Sequence, residues 1–508
     1  MAQYVAGFDN GGTMVKAAIF DLTGRQIIAR GTHTPVLTPQ PGWTERDCEE
    51  LWAHNAACMR SALDESGIKN TDILGVSVCG HGKGLYTWGK KGRPAYNGIV
   101  STDGRAWAYP EKWYKAGIPG QFADRLWQRI LASQQVSLLA WLKDHERAVY
   151  DDIQWVFSVK DFIRYRLTGE AYAEATDFSG SGLMNIRDAR FDRDMLEAFG
   201  IGEVYEKIAP LKYSQDLCGC VSREAAALTG LCEGTPVAGG MFDIDACAIA
   251  MDVTSPDDFC TIAGTWSINE YVASEPVRAT GDGGELMNSL FAIPGLFLVE
   301  SCSPTSAGNL DWFLDRFVHA AEIPSGANRY GYIDGEVEKI APEACDVCYL
   351  PFLNGSNDNP LGRACLTGMT AYHEKMHAVR AVYEGVAFSH KTHIERLLAT
   401  RQPPRAVRMA GGAVNSACWV QMFADVLGLP VETVDAPELG ALGCSMSAAV
   451  AAGVYGDYRE AARKMVRVKA RVEPDARRGE IYQKKYEKYT ALRRALEPVW
   501  GVLARPNG

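Results

Sequence analysis

The chain has 508 residues, more than a single ordinary core requires, so two large α/β domains are expected. A hydrophobic content of 47% and a charged content of 22% indicate a globular protein, and a net charge of −10 argues against a nucleic-acid partner. No stretch approaches the roughly 18 apolar residues of a membrane span, and the first residues lack the regions of a signal peptide. Because the fourteen cysteines are scattered, we expect a reduced, cytoplasmic protein with no membrane partner.

The N-terminal segment predicts strands joined by tight turns. Residues 4–10 and 14–20 are apolar and suited to strands, and a Gly-Gly-Thr turn separates them. A third strand is predicted after a turn at residues 21–24, which contain Asp and Gly.

Helices and a further strand are predicted after a proline-rich loop. Thr44 is expected to cap a helix that continues to Asp64, with Asp47 completing a variant capping box. Residues 75–80 predict a buried strand, and residues 133–168 are predicted to be helical.

Two segments far apart in the chain share one layout. Residues 236–251 predict a strand, a glycine turn and the start of a helix, and 258–272 predict two strands around a Gly-Thr turn. The second pattern repeats that of residues 4–20, which indicates a weak internal repeat. We therefore predict an N-terminal domain over 1–251 and a C-terminal domain over 252–508.

The first candidate site lies in the turn between the two opening strands. Gly11 and Gly12 permit a tight turn whose backbone N–H groups point inward and bind phosphate oxygens, with Thr13 beside them. Asp9, at the end of a strand, is placed to face Mg²⁺, which needs hard oxygen ligands, and Lys16 adds a positive charge. A Gly-Gly turn of purely structural character is the alternative.

The second candidate site is the matching turn in the other half. The Thr265 hydroxyl beside Gly264 can hold the other side of a phosphate chain, whereas the plain alternative is a hairpin. Two such turns at equivalent places favour a binding site in a cleft between the domains.

The third candidate is Asp243, which follows a Gly-Gly pair at the edge of a predicted helix. Phosphoryl transfer needs one group to accept the proton of the attacking alcohol, and Asp243 is the candidate base. A helix N-cap is an equal alternative for Asp243, and Asp245 is the rival base.

The fourth candidate lies between a strand and a helix at residues 410–416. Gly411 and Gly412 allow a flat base or ribose to approach the backbone, and Asn415 lies in the same run. A structural turn is the alternative. The Walker A pattern does not occur, so a nucleotide site here is not of the P-loop type.

These four elements, in this order, resemble the FGGY carbohydrate kinases of the sugar kinase, actin and heat-shock ATPase superfold, over residues 5–458. Asp9 to Lys16 looks like the family's D-x-G-T-x-x-x-K loop, with Gly12 replacing the threonine, and Asp243 falls on its catalytic aspartate. The signature over 364–384 is nearly intact. The resemblance implies two actin-like (ribonuclease H-like) α/β domains with an interdomain cleft, and ATP and Mg²⁺ as cofactors.

The sugar loops separate members of this family. Where xylulose kinases usually carry S-G-Q-M-H-G, this chain has C-G-H-G-K-G, which places His81 and Lys83 at the implied sugar pocket. The usual W-x-D-x-R motif keeps Asp103 and Arg105. The G-K-G-L pattern and the opening D-x-G-G look like the L-xylulose/3-dehydro-L-gulonate kinase branch, so Lys83 favours a ketose or an acidic sugar.

The resemblance implies ATP-dependent phosphorylation of a terminal hydroxyl of a ketose or ketose acid. In this interpretation the small-molecule sugar contacts His81, Lys83, Asp103 and Arg105, and Asp243 takes its proton. D-xylulose or another polyol is the alternative substrate. An actin-like ATPase and a catalytically inactive sugar sensor are the alternatives from other classes, and a homodimer is an expectation from the family alone.

Overall fold

The computed structural model describes residues 3–279, 286–356, 358–359 and 361–503. The strands of the N-terminal half are β1 (Tyr4–Asn10), β2 (Met14–Asp21), β3 (Gln26–His33), β4 (Glu45–Arg46), β5 (Ile73–Gly80), β6 (Tyr86–Gly89), β7 (Gly98–Ile99), β8 (Ile153–Phe157), β9 (Ala173–Glu174), β10 (Met184–Asn185), β11 (Arg190–Phe191), β12 (Leu211–Lys212), β13 (Leu217–Cys220), β14 (Pro236–Ala238) and β15 (Met241–Phe242). Its helices are α1 (Cys48–Ser66), α2 (Ala108–Lys115), α3 (Ile118–Gln121), α4 (Ala123–Leu126), α5 (Gln135–His145), α6 (Arg147–Asp152), α7 (Val159–Thr168), α8 (Ala175–Phe178), α9 (Arg193–Ala198), α10 (Arg223–Thr229) and α11 (Asp243–Ala250).

The C-terminal half continues the same alternation of strands and helices. Its strands are β16 (Phe259–Ala263), β17 (Ser267–Ala273), β18 (Met287–Leu290), β19 (Phe297–Ser303), β20 (Cys348–Leu350), β21 (Cys365–Thr367), β22 (Val407–Ala410), β23 (Val431–Val434) and β24 (Val468–Val472). Its helices are α12 (Gly308–Phe317), α13 (Arg329–Glu338), α14 (Lys375–Leu398), α15 (Ala417–Leu427), α16 (Leu439–Ala451), α17 (Tyr458–Met465), α18 (Ala476–Leu496) and α19 (Trp500–Leu503).

Each half builds one large mixed sheet, and the two sheets share a topology. The first runs β13-β14-β5-β1-β2-β3, with β1, β2 and β3 antiparallel and β5 parallel to β1 and to β14. The second runs β18-β19-β17-β16-β22-β23-β24, with β16, β17 and β19 antiparallel and β22 parallel to β16 and to β23. The turn between β1 and β2 therefore corresponds to the turn between β16 and β17, and the predicted internal repeat and two-domain α/β fold are confirmed.

The central strands are apolar because both faces of the first sheet are covered. Val5, Ala6 and Phe8 of β1 are fully buried, as are Val76 and Val78 of β5. This near-continuous burial is typical of sheets with helices on both faces, and it explains why these runs are recognisable in the sequence.

Two local predictions are wrong. Asp47 caps α1, with its side chain accepting from Glu50 N, and Thr44 does not, because residues 45–46 form β4 and pair with β7 before the helix begins. Residues 133–168 are not one helical segment, since β8 interrupts them and pairs with β6. The tertiary pairing of short strands overrides local helical pattern in both places.

The two halves meet along α16, which belongs to the C-terminal half but packs on β1 and β5 of the first sheet. A Cβ at Gly7 would lie 2.2 Å from the Ala441 carbonyl oxygen, so β1 and α16 touch backbone to backbone. α16 also crosses α11, where a Cβ at Gly443 would lie 1.9 Å from the carbonyl oxygen of Ala246. Among the residues described, no helix combines the length and apolar character needed to span a membrane.

Candidate active site

Asp9 lies near the end of β1, against the first turn of α16. A Cβ at Gly440 would stand 2.6 Å from Asp9 Oδ2, so the carboxylate faces the positive end of a helix. Burial raises the pKa of Asp9, and the charge of Lys16, its partner across the strand pair, opposes that shift. Lys16 Nζ donates to Glu438 Oε2 at 2.7 Å, which ties the first phosphate-loop candidate to the N-cap of α16.

Arg46 holds the glycine turn after β1 through the carbonyl oxygens of that turn. The Arg46 guanidinium is buried and donates to the carbonyl oxygen of Gly11 at 3.0 Å and to that of Gly12. Gly12 and Thr13 are exposed, so the upper side of the turn faces solvent. Sequence reasoning missed Arg46, because its place in a Glu-Arg-Asp run before α1 gave no local sign of this contact.

The second turn and the glycine pair of the fourth motif form one surface. Gly264 and Thr265 connect β16 to β17, and Thr265 is exposed. Gly411 has a φ of 93° and packs so closely that a Cβ would lie 2.4 Å from the carbonyl oxygen of Ala263. The structure thus brings the second phosphate-loop candidate and the adenosine candidate into contact.

Gly412 and Asn415 bound a short turn that follows Gly411 and precedes α15. Both residues are exposed. Their backbone and side-chain groups are therefore open to a ligand, in the segment that begins with Gly411.

A buried polar network supports the second turn, and sequence reasoning missed it. His390 of α14 lies 2.9 Å from Thr261 Oγ1, and its other ring nitrogen lies 2.7 Å from Ser306 Oγ. Burial lowers the pKa of His390 to about 3, so the ring is neutral and bonds as both donor and acceptor. A histidine inside a long, largely buried helix carries no sequence signal for such a contact.

Asp243 is the first residue of α11, directly after β15. Phe242 pairs with Gly80 of β5, so Asp243 begins its helix beside the loop that carries His81 and Lys83. Burial raises the pKa of Asp243 well above its usual range, the charge of Asp9 raises it further, and Lys83 opposes both. The N-cap of α11 is Phe242, so Asp243 does not take the capping position that was the alternative.

The rival carboxylate, Asp245, points elsewhere. Its Oδ1 accepts from the backbone N–H of Ala292 at 3.0 Å, and the side chain is fully buried. Burial also raises the pKa of Asp245 well above its usual range. Asp245 therefore anchors the segment after β18 to α11, a contact between the two halves.

His81 and Lys83 lie on the loop after β5. His81 is buried, with Nε2 3.2 Å from the Tyr86 hydroxyl, and burial together with the Arg46 charge lowers its pKa to about 4. Lys83 is half-buried and has a φ of 61°, which is unusual for a lysine. A Cβ at Gly82 would meet the Phe242 ring at 2.4 Å, so this loop packs directly on the residue before Asp243.

Asp103 and Arg105 form a buried ion pair with each other. Arg105 Nη2 lies 2.8 Å from Asp103 Oδ2 and 2.8 Å from Glu45 Oε1, and the guanidinium lies 4.2 Å from the Trp43 ring centre. Asp103 Oδ2 also accepts from Thr44 N at 2.7 Å. Their contact with a sugar stays a prediction, because here both side chains fix the loop that they share.

Two family models together match most of the chain. The N-terminal domain of the FGGY family of carbohydrate kinases matches residues 4–250, and the C-terminal domain matches residues 260–452. The chain belongs to this family. The prediction of an ATP-dependent sugar kinase is thereby confirmed.

Relatives of this kinase are named as L-xylulose kinases. It is 35% identical to L-xylulose/3-keto-L-gulonate kinase of Escherichia coli (strain K12), over 98% of either chain. It is 33% identical to a probable L-xylulose kinase of Pasteurella multocida (strain Pm70), over 97% of this chain and 99% of the relative. The resemblance to that branch of the family is confirmed.

Solved structures confirm the fold. A gluconate kinase from Lactobacillus acidophilus superposes with a TM-score of 0.90 at 20% identity, covering 99% of this kinase and 100% of that chain. A xylulose kinase from Rhodospirillum rubrum gives a TM-score of 0.85 at 24% identity, covering 98% and 100%.

The residues of this kinase suit a magnesium nucleotide. Asp9 offers hard carboxylate oxygens at the start of α16, and the charge it places near Asp243 is one that a divalent cation would neutralise. Each of the two glycine turns includes exposed residues: Gly12 and Thr13 in the first, and Thr265 in the second. The donor set therefore fits Mg²⁺ together with phosphate oxygens.

Proposed function

We propose that this kinase phosphorylates a terminal hydroxyl of a ketose or ketose acid of the L-xylulose or 3-keto-L-gulonate type, with Asp243 as general base. The observation that carries the proposal is the position of Asp243 at the start of α11, beside the loop that carries His81 and Lys83. Burial and the charge of Asp9 raise its pKa, and the charge of Lys83 opposes this shift. A base with a raised pKa matches the task of accepting an alcohol proton near neutral pH. The names of the most similar relatives support this substrate class.

The nucleotide occupies the surface formed by the two glycine turns. Gly11 and the exposed Gly12 and Thr13 hold phosphate oxygens from one half, and Gly264 and Thr265 hold them from the other. Lys16 contributes positive charge beside them. Phosphoryl transfer depends mainly on such positioning and on stabilising the charge of the transferred group.

The adenosine lies on the exposed face of residues 411–415. Gly411 and Gly412 let the base approach the backbone, and Asn415 is open to bond it. Mg²⁺, when bound through Asp9, supplies neutralisation of the phosphate charge.

The sugar lies between the loop after β5 and the start of α11. His81 is neutral and positioned by Tyr86, and Lys83 directs its cation to the same region as Asp243. Asp103 and Arg105 shape the loop that starts at Ser101. This loop packs against the loop after β5, since a Cβ at Gly84 would lie 3.2 Å from Ser101 N. Asp243 takes the proton of the terminal hydroxyl as the oxygen attacks phosphorus. Closure of the cleft excludes water, which is the competing acceptor.

Sugar-dependent formation of ADP tests the reaction. Purified protein with Mg·ATP is assayed against L-xylulose, 3-keto-L-gulonate, D-xylulose, other pentuloses and polyols. If L-xylulose or 3-keto-L-gulonate raises ADP formation above the rate without sugar, the proposal is supported. If only D-xylulose or a polyol does so, the alternative substrate is assigned. ADP formation unaffected by any sugar indicates an actin-like ATPase, and sugar binding without turnover indicates a sensor.

A matched pair of variants tests the base. Asp243→Asn is expected to lower kcat by about 10³-fold or more while the affinity for ATP is kept, since one proton acceptor is removed. Asp245→Asn keeps an oxygen for Ala292 N and is expected to retain turnover. Near-normal turnover of Asp243→Asn, with loss in Asp245→Asn, would move the base to Asp245.

The assembly and the compartment remain proposals. All fourteen cysteines lie in the described part of the chain as free thiols, which supports a reducing, cytoplasmic location. Light scattering on the purified chain tests the homodimer, and a monomer at micromolar concentration would contradict it.

A further inference from the structure

A fully buried cluster of charges lies behind the start of α11 and is not used in the reaction described above. Burying charges is costly unless they are paired and hydrogen-bonded, so such a cluster calls for a reason. Its members are Lys160, Asp161, Arg164, Glu174 and Asp177.

A chain of hydrogen bonds connects this cluster to the residue before Asp243. Lys160 Nζ lies 3.1 Å from Glu174 Oε2, which also accepts from the Thr176 hydroxyl at 2.7 Å. Thr176 Oγ1 in turn accepts from the backbone N–H of Phe242 at 2.9 Å. Because the hydroxyl donates its one proton to Glu174, its lone pair is directed to Phe242, and the polarity of the chain is fixed.

The same cluster also holds Gly239 and Gly240, the glycine pair that precedes β15. Arg164 lies 2.8 Å from Asp161 Oδ1 and donates to the carbonyl oxygen of Gly239. The second oxygen of Glu174 accepts from the Ser214 hydroxyl at 2.8 Å, and the Ser214 carbonyl accepts from Gly240 N at 3.2 Å. The backbone of residues 239–242 is therefore fastened at both ends by groups that share one buried ion network.

We propose that Thr176, held by Glu174 and Lys160, is a positioning residue for the general base. It fixes the Phe242 peptide nitrogen, and thereby the point at which Asp243 leaves β15 and enters α11. The proposal rests on the proposed function of Asp243. Small misplacements of a reacting group are costly in rate, so the network acts on kcat without touching the substrate.

Two substitutions separate this role from packing. Thr176→Val keeps the shape but removes the oxygen, and Thr176→Ser keeps the oxygen but removes the methyl group. We expect Thr176→Val to lower kcat by about tenfold or more with the KM for ATP within about twofold of wild type, and Thr176→Ser to retain kcat within about twofold. If Thr176→Val fails to fold by near-UV circular dichroism, Thr176→Ala replaces it, with the same expectation.

A double-variant cycle identifies the residue through which Thr176 acts. If Thr176 works through Asp243, Thr176→Val in the Asp243→Asn background costs no further turnover, because the effects are not additive. Wild-type kcat in Thr176→Val, or an equal loss in both backgrounds, overturns the inference. If Asp243→Asn loses turnover but Thr176→Val has normal turnover, the positioning role of Thr176 is overturned and the proposed base stands. If Asp243→Asn is fully active, the proposed base itself is overturned.

Discussion

The carboxylate of Asp9, in the first strand of the chain, touches the backbone of Gly440, in a helix of the other half. A Cβ at Gly440 would lie 2.6 Å from Asp9 Oδ2 and 2.9 Å from its Cγ. Glycine at this position is therefore required by the neighbour and not by the backbone conformation of the helix.

We expect Gly440→Ala to lower kcat by about tenfold or more, because the new methyl group displaces a carboxylate at the proposed metal position. Helix propensity alone favours the alanine by ~1 kcal/mol, so a loss of activity does not reflect an unstable helix. Steady-state kinetics measures the effect. Gly335→Ala is the matched control, since a Cβ at this helical glycine meets no atom within 4 Å. Equal activity of the two variants would contradict the prediction.

Lys83→Ala is expected to discriminate between acidic and neutral ketoses. A hydrogen bond to a charged group contributes about 1.5–3 kcal/mol, so kcat/KM for a ketose acid should fall by about 10- to 100-fold. The fall for the neutral ketose should be several-fold smaller. Lys91→Ala, on an exposed lysine of the next loop, is the control. An equal fall for both substrates would remove Lys83 from sugar selection.

Asp177 predicts a dependence of stability on pH. Burial raises the pKa of Asp177 to about 7, despite the opposing charge of Lys160. A carboxyl whose pKa is raised in the folded state stabilises it below the unfolded pKa near 4, and this stability is lost as pH rises towards 7. Chemical denaturation should therefore show the wild type losing more than ~1 kcal/mol between pH 4.5 and pH 7.5 relative to Asp177→Asn. Parallel pH curves for the two proteins would contradict this.

Gly411→Ala tests the contact between the second turn and the adenosine candidate. Its φ of 93° and the 2.4 Å approach of a Cβ to the Ala263 carbonyl oxygen predict a rise in the KM for ATP of about tenfold, with loss of stability. Gly453→Ala shares a positive φ but meets no atom within 4 Å, so it should cost only the ~1–2 kcal/mol of backbone strain. An unchanged KM for ATP in Gly411→Ala would argue against a nucleotide on this surface.

The sequence could predict the features that local pattern encodes. Apolar runs and glycine turns located both β1–β2 and β16–β17, and spacing after Gly240 pointed to Asp243 as the start of a helix. These signals are local because a strand or a turn is set by neighbouring residues.

The rest depends on contacts between residues far apart in the chain. Arg46 reaches Gly11, His390 reaches Thr261, and Thr176 reaches Phe242, and none of these pairs shares a local pattern. The pairing of Asp103 with Arg105 was equally hidden, because two charges on one loop bind each other or a ligand according to where Glu45 and Trp43 lie.

The crossing of α11 and α16, where Gly443 touches Ala246, has a mechanical consequence. Asp243 begins one of these helices and Gly440, the neighbour of Asp9, lies in the first turn of the other. In a rigid rotation about this crossing, displacement grows with distance from the axis. The outer parts of the two halves would then be displaced most, whereas Gly440, one turn from the crossing, would stay against Asp9. Asp9 and Asp243 would keep their spacing, because both belong to the first half.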